Sequence, residues 1–236
     1  MRRSICNTND VSVRVNVAFV SPICAHPLAQ IAINTISPRR NFIVVKYQNY
    51  ILVASINGSN CNSTGELASC VVMIPATIGE IDWTKWQPTE YANLCFVIRD
   101  GQILLIRKKR GLGAGKINGP GGRLEKGETA EQSAIRETQE EVGVTPIGLE
   151  QAGELFFQFL DGYKLHVAVF SASDCTGMLI ETDEANPMWV KLEDIPYHEM
   201  WQDDPHWLPL VLQRKKFRGY FLFDVERLLS YRVDGF

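Results

Sequence analysis

The chain of 236 residues contains no run of about 18 or more apolar residues, the length a helix needs to cross a bilayer, so no membrane association is expected. It has no CxxC pair and no cysteine–histidine spacing of the kind that holds zinc. Its six cysteines (Cys6, Cys24, Cys61, Cys70, Cys95 and Cys175) therefore read as reduced thiols, as expected of a cytoplasmic protein. A large charge of one sign is also missing: the net charge is −3, which argues against a polyanion as the main partner. Long basic patches with interleaved aromatics are absent too, so no stable nucleic-acid partner is expected. Nor is there a regular βαβ repeat, and the mixture of strand and helix patterns points to α+β layers rather than a doubly wound sheet.

The deficits are unevenly spread. Residues 1–72 have no tryptophan and only two acids, Asp10 and Glu66, against six basic residues. By subtraction, residues 73–236 carry 18 basic and 25 acidic residues, and all five tryptophans. The first segment has strand-like stretches, "VSVRVNVAFV" and "NFIVVKYQNYILVA", but no chemical motif. Residues 1–72 are expected to be an extension of unknown role, disordered or a mis-assigned start with Met73 as initiator. Residues 73–236 are expected to form the functional domain, acting as a monomer.

Turn and cap signals organise that domain. Asp100-Gly101 and Asp161-Gly162 each sit between strand-like runs and predict hairpins. "RGLGAGKINGPGG" has six glycines in thirteen residues, a loop whose backbone can approach a ligand. A helix follows, with Thr129 and Gln132 forming a capping box and Gly143 a stop; Ala134, Ile135, Thr138 and Val142 should face the core. "PMWVKL" and "GYFLFD" read as strands. "DDPHWLPLVLQRKKF" reads as a helix opened by Pro205 with basic residues at its end, and "VERLLSYRV" as a short helix.

The helix of residues 130–142 gathers Glu137, Glu140 and Glu141 on one face of its last turns. Like charges at that spacing repel, and the helix C-terminus disfavours anions, each by a few tenths of a kcal/mol. A divalent cation removes the conflict, since Mg²⁺ prefers hard carboxylate oxygens and bridges them to phosphates. From Gly122 to Val144 the chain reads Gly-x5-Glu-x7-Arg-Glu-Thr-x-Glu-Glu-x-Gly-Val. This resembles the signature box of the Nudix hydrolases at every position but Thr138, where an apolar residue is usual.

The resemblance implies a Nudix-type α/β/α sandwich with a mixed sheet, and metal-dependent hydrolysis of a nucleoside diphosphate linked to another moiety. Mg²⁺ is the expected cofactor, with Mn²⁺ as an alternative. By position, Glu137, Glu140 and Glu141 become metal ligands, joined by the Gly121 carbonyl. Arg136 orients Glu137, Glu128 supports the loop, and the general base stays open between Glu137 and Glu141. Glu184 is a further candidate for a metal or base role.

The likeness extends from about Tyr91 to Phe223 toward the oxidised purine nucleoside triphosphatases of the family. It implies a purine pocket built from Asn93, Asn118, Phe157, Asp203 and Asp204, with Trp201 and Trp207 as flanking aromatics. Lys108, with Lys109, Arg110 and Lys116, would attract the triphosphate. Leu112, Ile117 and Pro120 replace aromatic residues of that subfamily, and Asn93 replaces a threonine. Two other readings stay open: a different nucleotide substrate (an unmodified dNTP, a dinucleoside polyphosphate or an ADP-sugar), and a regulator that binds nucleotide without turnover.

Overall fold

The computed structural model describes the backbone of residues 32–36, 42–47, 50–55 and 72–236, and the side chains from residue 75 onward. Strands β1 (Ala32–Ile36), β2 (Phe42–Tyr47), β3 (Tyr50–Ser55) and β4 (Val72–Ile74) pair in that order as an antiparallel sheet. The strand character of "NFIVVKYQNYILVA" thus appears as β2 and β3, whereas "VSVRVNVAFV" lies outside the described residues. Strand β4 spans the composition break at Met73.

The main sheet is built from β5 (Glu90–Arg99), β6 (Gln102–Lys108), the two-residue β7 (Ile117–Asn118), β9 (Glu150–Phe159), β10 (Lys164–Ala172), β12 (Ala185–Lys191), β13 (Phe217–Asp224) and β14 (Arg227–Gly235). Its order is β12-β6-β5-β10-β9-β13-β14, with β7 against β6. It is mixed: β5 runs parallel to β10 and β9 parallel to β13, and the other pairs are antiparallel. A separate pair, β8 (Val144–Ile147) with β11 (Asp174–Gly177), closes one side.

Both expected hairpins form. At the first, Asp100 and Gly101 have φ of 49° and 71°, the left-handed pair a tight turn between twisted strands requires. Strand β5 reads "NLCFVI" without polar alternation because it is covered on both faces. Cys95 and Val97 face helix α1 (Ala130–Val142), while Phe96 packs on the opposite side with Trp207, Leu208 and Val211 of helix α2 (Asp204–Leu212). Among the described residues no helix is long and apolar enough to cross a membrane.

Helix α1 starts and stops as its sequence dictates. Thr129 accepts a hydrogen bond from the Gln132 amide (3.2 Å), Gln132 accepts one from the Thr129 amide (2.9 Å), and Gly143 turns left-handed at φ 79°. Thr138 is fully buried where the family prefers an apolar side chain; its hydroxyl donates to the Ala134 carbonyl at 2.7 Å, which satisfies the one polar atom it brings. Ser133 and Glu141 share the buried face, whereas Ile135 is only half-buried.

Two expectations are corrected at the C-terminal end. "VERLLSYRV" is no helix: Arg227–Gly235 is strand β14, paired along β13 through the turn at Val225 (φ 56°). Helix α2 ends at Leu212, so the basic residues fall beyond its last turn. Arg214 is left-handed (φ 55°), with its amide donating to the Val211 carbonyl and the Lys215 amide to that of Leu210, a capping arrangement that closes the helix there.

Candidate active site

The glycine-rich segment is threaded between β5 and α1. The Cys95 amide donates to the Pro120 carbonyl (2.8 Å) and the Asn93 amide to that of Gly122 (2.9 Å). The intervening Gly121 turns the other way, where its N–H donates to Glu141 Oε2 at 2.9 Å. Neither position tolerates a side chain. A Cβ on Gly121 (φ 149°) would stand 2.2 Å from the Asn93 carbonyl oxygen, and one on Gly122 would stand 2.4 Å from the Glu137 carboxyl carbon.

Arg136 organises the acids. It makes a two-point contact with Glu128 (2.9 Å at each oxygen) and reaches Glu137 at 2.9 Å and Glu140 at 3.0 Å. This contact holds the Glu128 carboxyl down to about 2, while the carboxylates raise the guanidinium above its ordinary range. Burial pushes Glu137 and Glu141 up, opposed by Arg136 in the first case and by Lys108 in the second. Lys108 lies 3.3 Å from Glu141 Oε1.

The three glutamates are not equivalent. The Glu137 and Glu141 side chains are 15% and 2% exposed and line a cavity of about 450 Å³; Glu140 is 62% exposed and does not line it. Among the described residues no three acids, histidines or cysteines form a ready cage, and the carboxylates are instead ion-paired with Arg136 and Lys108. The donor set nevertheless fits a divalent cation. Ionised, Glu128, Glu137, Glu140 and Glu141 with Arg136 and Lys108 leave a net charge of −2, and Mg²⁺ needs only one or two carboxylates when waters and substrate phosphates complete its shell. Glu184 also borders the cavity and is ion-paired with Arg110.

The same cavity is lined by Asn118, Phe157, Trp201, Asp203 and Asp204. Asn118 accepts from the Gly119 amide (2.8 Å), which fixes its side chain and leaves its Nδ2 with no hydrogen-bond partner among the described residues. Phe157 stacks on Phe221 at 5.3 Å. Asp203 and Asp204 are each 2% exposed. Burial pushes Asp203 up to about 6 and Asp204 well above the usual range, with the Asp203 charge adding to the latter, so burial favours the protonated form of the pair. Asp203 accepts from the Trp207 indole (2.8 Å), and Asp204 from the Trp201 amide (3.0 Å).

Two residues expected in the pocket border the cavity and also brace the structure around it. Trp207 is fully buried, packed against Phe96 and Phe217, and its indole N–H donates to Asp203. Asn93 is 1% exposed and donates to Ser133 Oγ (2.8 Å) and the Gly122 carbonyl (3.2 Å), tying β5 to α1, although it borders the cavity. Of the three loop positions that depart from the subfamily, Ile117 and Pro120 are buried and only Leu112 borders the cavity. Gly122 escaped notice in the sequence as a site residue, yet it makes room for Glu137.

A NUDIX domain model matches residues 88–211, which include the carboxylate helix and the aspartate pair. The chain belongs to the Nudix family. It is 43% identical to the oxidized purine nucleoside triphosphate hydrolase of Mus musculus, over 61% of this chain and 96% of the mouse protein. The counterpart from Danio rerio is 46% identical, over 56% of this chain and 85% of the fish protein. Among solved structures, the mutator MutT protein from Bacillus halodurans matches with a TM-score of 0.57 and 28% identity, covering 61% of this chain and 97% of that one.

Proposed function

We propose that this Nudix hydrolase cleaves oxidised purine (deoxy)nucleoside triphosphates, such as 8-oxo-dGTP, between the α and β phosphates, releasing the monophosphate and pyrophosphate and clearing damaged precursors from the nucleotide pool. The observation that carries the reading is that a single cavity is lined both by the carboxylates Glu137 and Glu141 of α1 and by a buried Asp203–Asp204 pair beside Trp201. The similarity to the mouse and zebrafish enzymes supports the substrate class.

Each end of the nucleotide has its partners. Trp201 stacks on the base, Asn118 and the aspartates read its edge, and Lys108 and Arg110 face the phosphates. Two adjacent carboxyls sharing a proton offer both a donor and acceptors, the pattern needed to read a purine edge with an added oxo group. Glu137 and Glu141, with Glu140 and the Gly121 carbonyl, would hold Mg²⁺ or Mn²⁺. When bound, the ion neutralises phosphate charge and lowers the pKa of the attacking water. Burial makes Glu137 and Glu141 better proton acceptors than exposed carboxylates, so either suits the base role. The enzyme acts as a cytoplasmic monomer on a small-molecule substrate.

The test is pyrophosphate release with Mg²⁺ from 8-oxo-dGTP, 2-oxo-dATP, dGTP and ADP-ribose. An oxidised purine should be hydrolysed with a kcat/KM at least about tenfold above dGTP, a discrimination of roughly 1.4 kcal/mol. A preference for ADP-ribose would discard Asn118 and the aspartates as a purine reader. Gly122→Ala should cut kcat about 100-fold, because the added Cβ displaces Glu137 by about an ångström. Unchanged kcat in that variant would mean that Glu137 does not act from its place beside Gly122.

A further inference from the structure

Lys116 belongs to the basic loop expected to attract phosphates, but it does not line the cavity. Its Nζ lies over the Trp201 indole, 5.1 Å from the ring centre, and is ion-paired at 3.1 Å with Glu226 in the turn between β13 and β14. Trp201 lines the cavity, whereas the Lys116 that lies over its indole does not. The ring is confined on other sides as well. Phe223 meets it edge-on at 5.8 Å, and Gly113 approaches so closely that a Cβ there would stand 2.9 Å from the indole nitrogen. Arg107 adds a second tether, donating to the Gly115 carbonyl (3.0 Å) and pairing with Glu199 at 2.6 Å just before Trp201 in the chain.

We propose that Lys116 is a positioning residue for base recognition: seated over Trp201 and tied to Glu226, it fixes the indole as a platform for an electron-rich purine on the opposite face. This rests on the purine reading of the site. A cation held on one face of an indole draws π-electron density toward itself. The opposite face then stacks more strongly on an electron-rich ring, such as a purine carrying an added oxo group. The same charge acts on Asp204, where it opposes the upward push of burial, so one side chain serves both the platform and the edge reader.

The experiment is calorimetric binding of 8-oxo-dGMP and dGMP to the full chain without metal, which removes turnover from the measurement. Lys116→Met keeps most of the stem and loses the charge. It should raise the Kd for 8-oxo-dGMP about tenfold, equivalent to about 1.4 kcal/mol, and raise the Kd for dGMP less. Lys116→Arg should return to within about threefold of wild type, and Glu226→Gln should fall between the two. In turnover, KM should rise in Lys116→Met by a larger factor than kcat falls.

Unaltered binding in Lys116→Met would overturn the proposal while leaving the purine reading intact. Failure of Lys116→Arg to restore affinity would also overturn it, since the loss would then come from packing alone. If Lys116→Met melts early, Glu226→Gln decides by its Kd: weakened binding supports the role and wild-type binding rejects it. Wild-type protein that binds neither mononucleotide would remove the purine reading and this inference together.

Discussion

Glu137→Gln and Glu141→Gln are each expected to lower kcat for the preferred triphosphate about 1000-fold, a loss of roughly 4 kcal/mol of transition-state stabilisation. Glu140→Gln should cost about tenfold. The ordering follows from placement: Glu137 and Glu141 are desolvated and border the cavity, whereas Glu140 is exposed and meets only Arg136 among the described residues. Glutamine keeps the volume of glutamate and its acceptor oxygen, so the bonds from Arg136 and the Gly121 amide persist. The charge, which a hard cation needs, does not persist. Melting temperatures of all three variants should stay close to wild type, because a neutral amide relieves the burial of a charge at Glu137 and Glu141 and Glu140 is exposed. Single-turnover rates measured at saturating Mg²⁺ check the ordering. Equal losses at all three positions would mean that exposure is no guide to which oxygens hold the ion.

The second large effect is expected at the base end. Asp204→Ala should reduce kcat/KM for 8-oxo-dGTP about 100-fold, corresponding to about 2.7 kcal/mol, within the range for losing hydrogen bonds that involve a charged group. The loss should appear in KM, since the α1 carboxylates are untouched. A pH signature accompanies it. Both aspartates are raised in the folded state, Asp203 to about 6, so they contribute stability that is fully present below the ordinary carboxylate range near 4. That contribution is lost as pH rises through the folded values. The ligand-free melting temperature should therefore fall between about pH 4 and pH 7, and Asp203→Asn should flatten that slope. Glu128, lowered to about 2, acts in the opposite sense, but its change lies below this window. A slope as steep in Asp203→Asn as in wild type would place the titration elsewhere.

The sequence made some features plain and hid others, and the division is physical. The hairpin at Asp100-Gly101 and the Thr129–Gln132 box are local: each is decided by the dihedral freedom or side-chain oxygens of a few adjacent residues, and both appear as expected. The carboxylate cluster was legible because helical spacing alone brings Glu137, Glu140 and Glu141 to one side. What spacing could not tell was which of them is buried, since that depends on how the preceding glycine-rich segment packs over α1. "RLLSYRV" suits either period, and the choice of strand was made by pairing with β13. Trp207 shows the same limit. Three residues beyond Asp204 it could turn toward a ligand or the core; it is fully buried against Phe96, from a strand far back in the chain, and still borders the cavity, a placement that spacing alone does not show. Lys116 looked like one more loop cation until Trp201 and Glu226 were seen around it.

Arg136 and Lys108 carry a consequence for the life of the molecule in the cell. Because Glu128, Glu137, Glu140 and Glu141 each already have a cationic side chain as partner, the newly made chain is expected to fold without awaiting an ion from its surroundings. Maturation and charging become separate events. A shortage of the divalent cation would then idle the enzyme without sending it to the proteases, and the stock already synthesised would resume work as soon as supply returned.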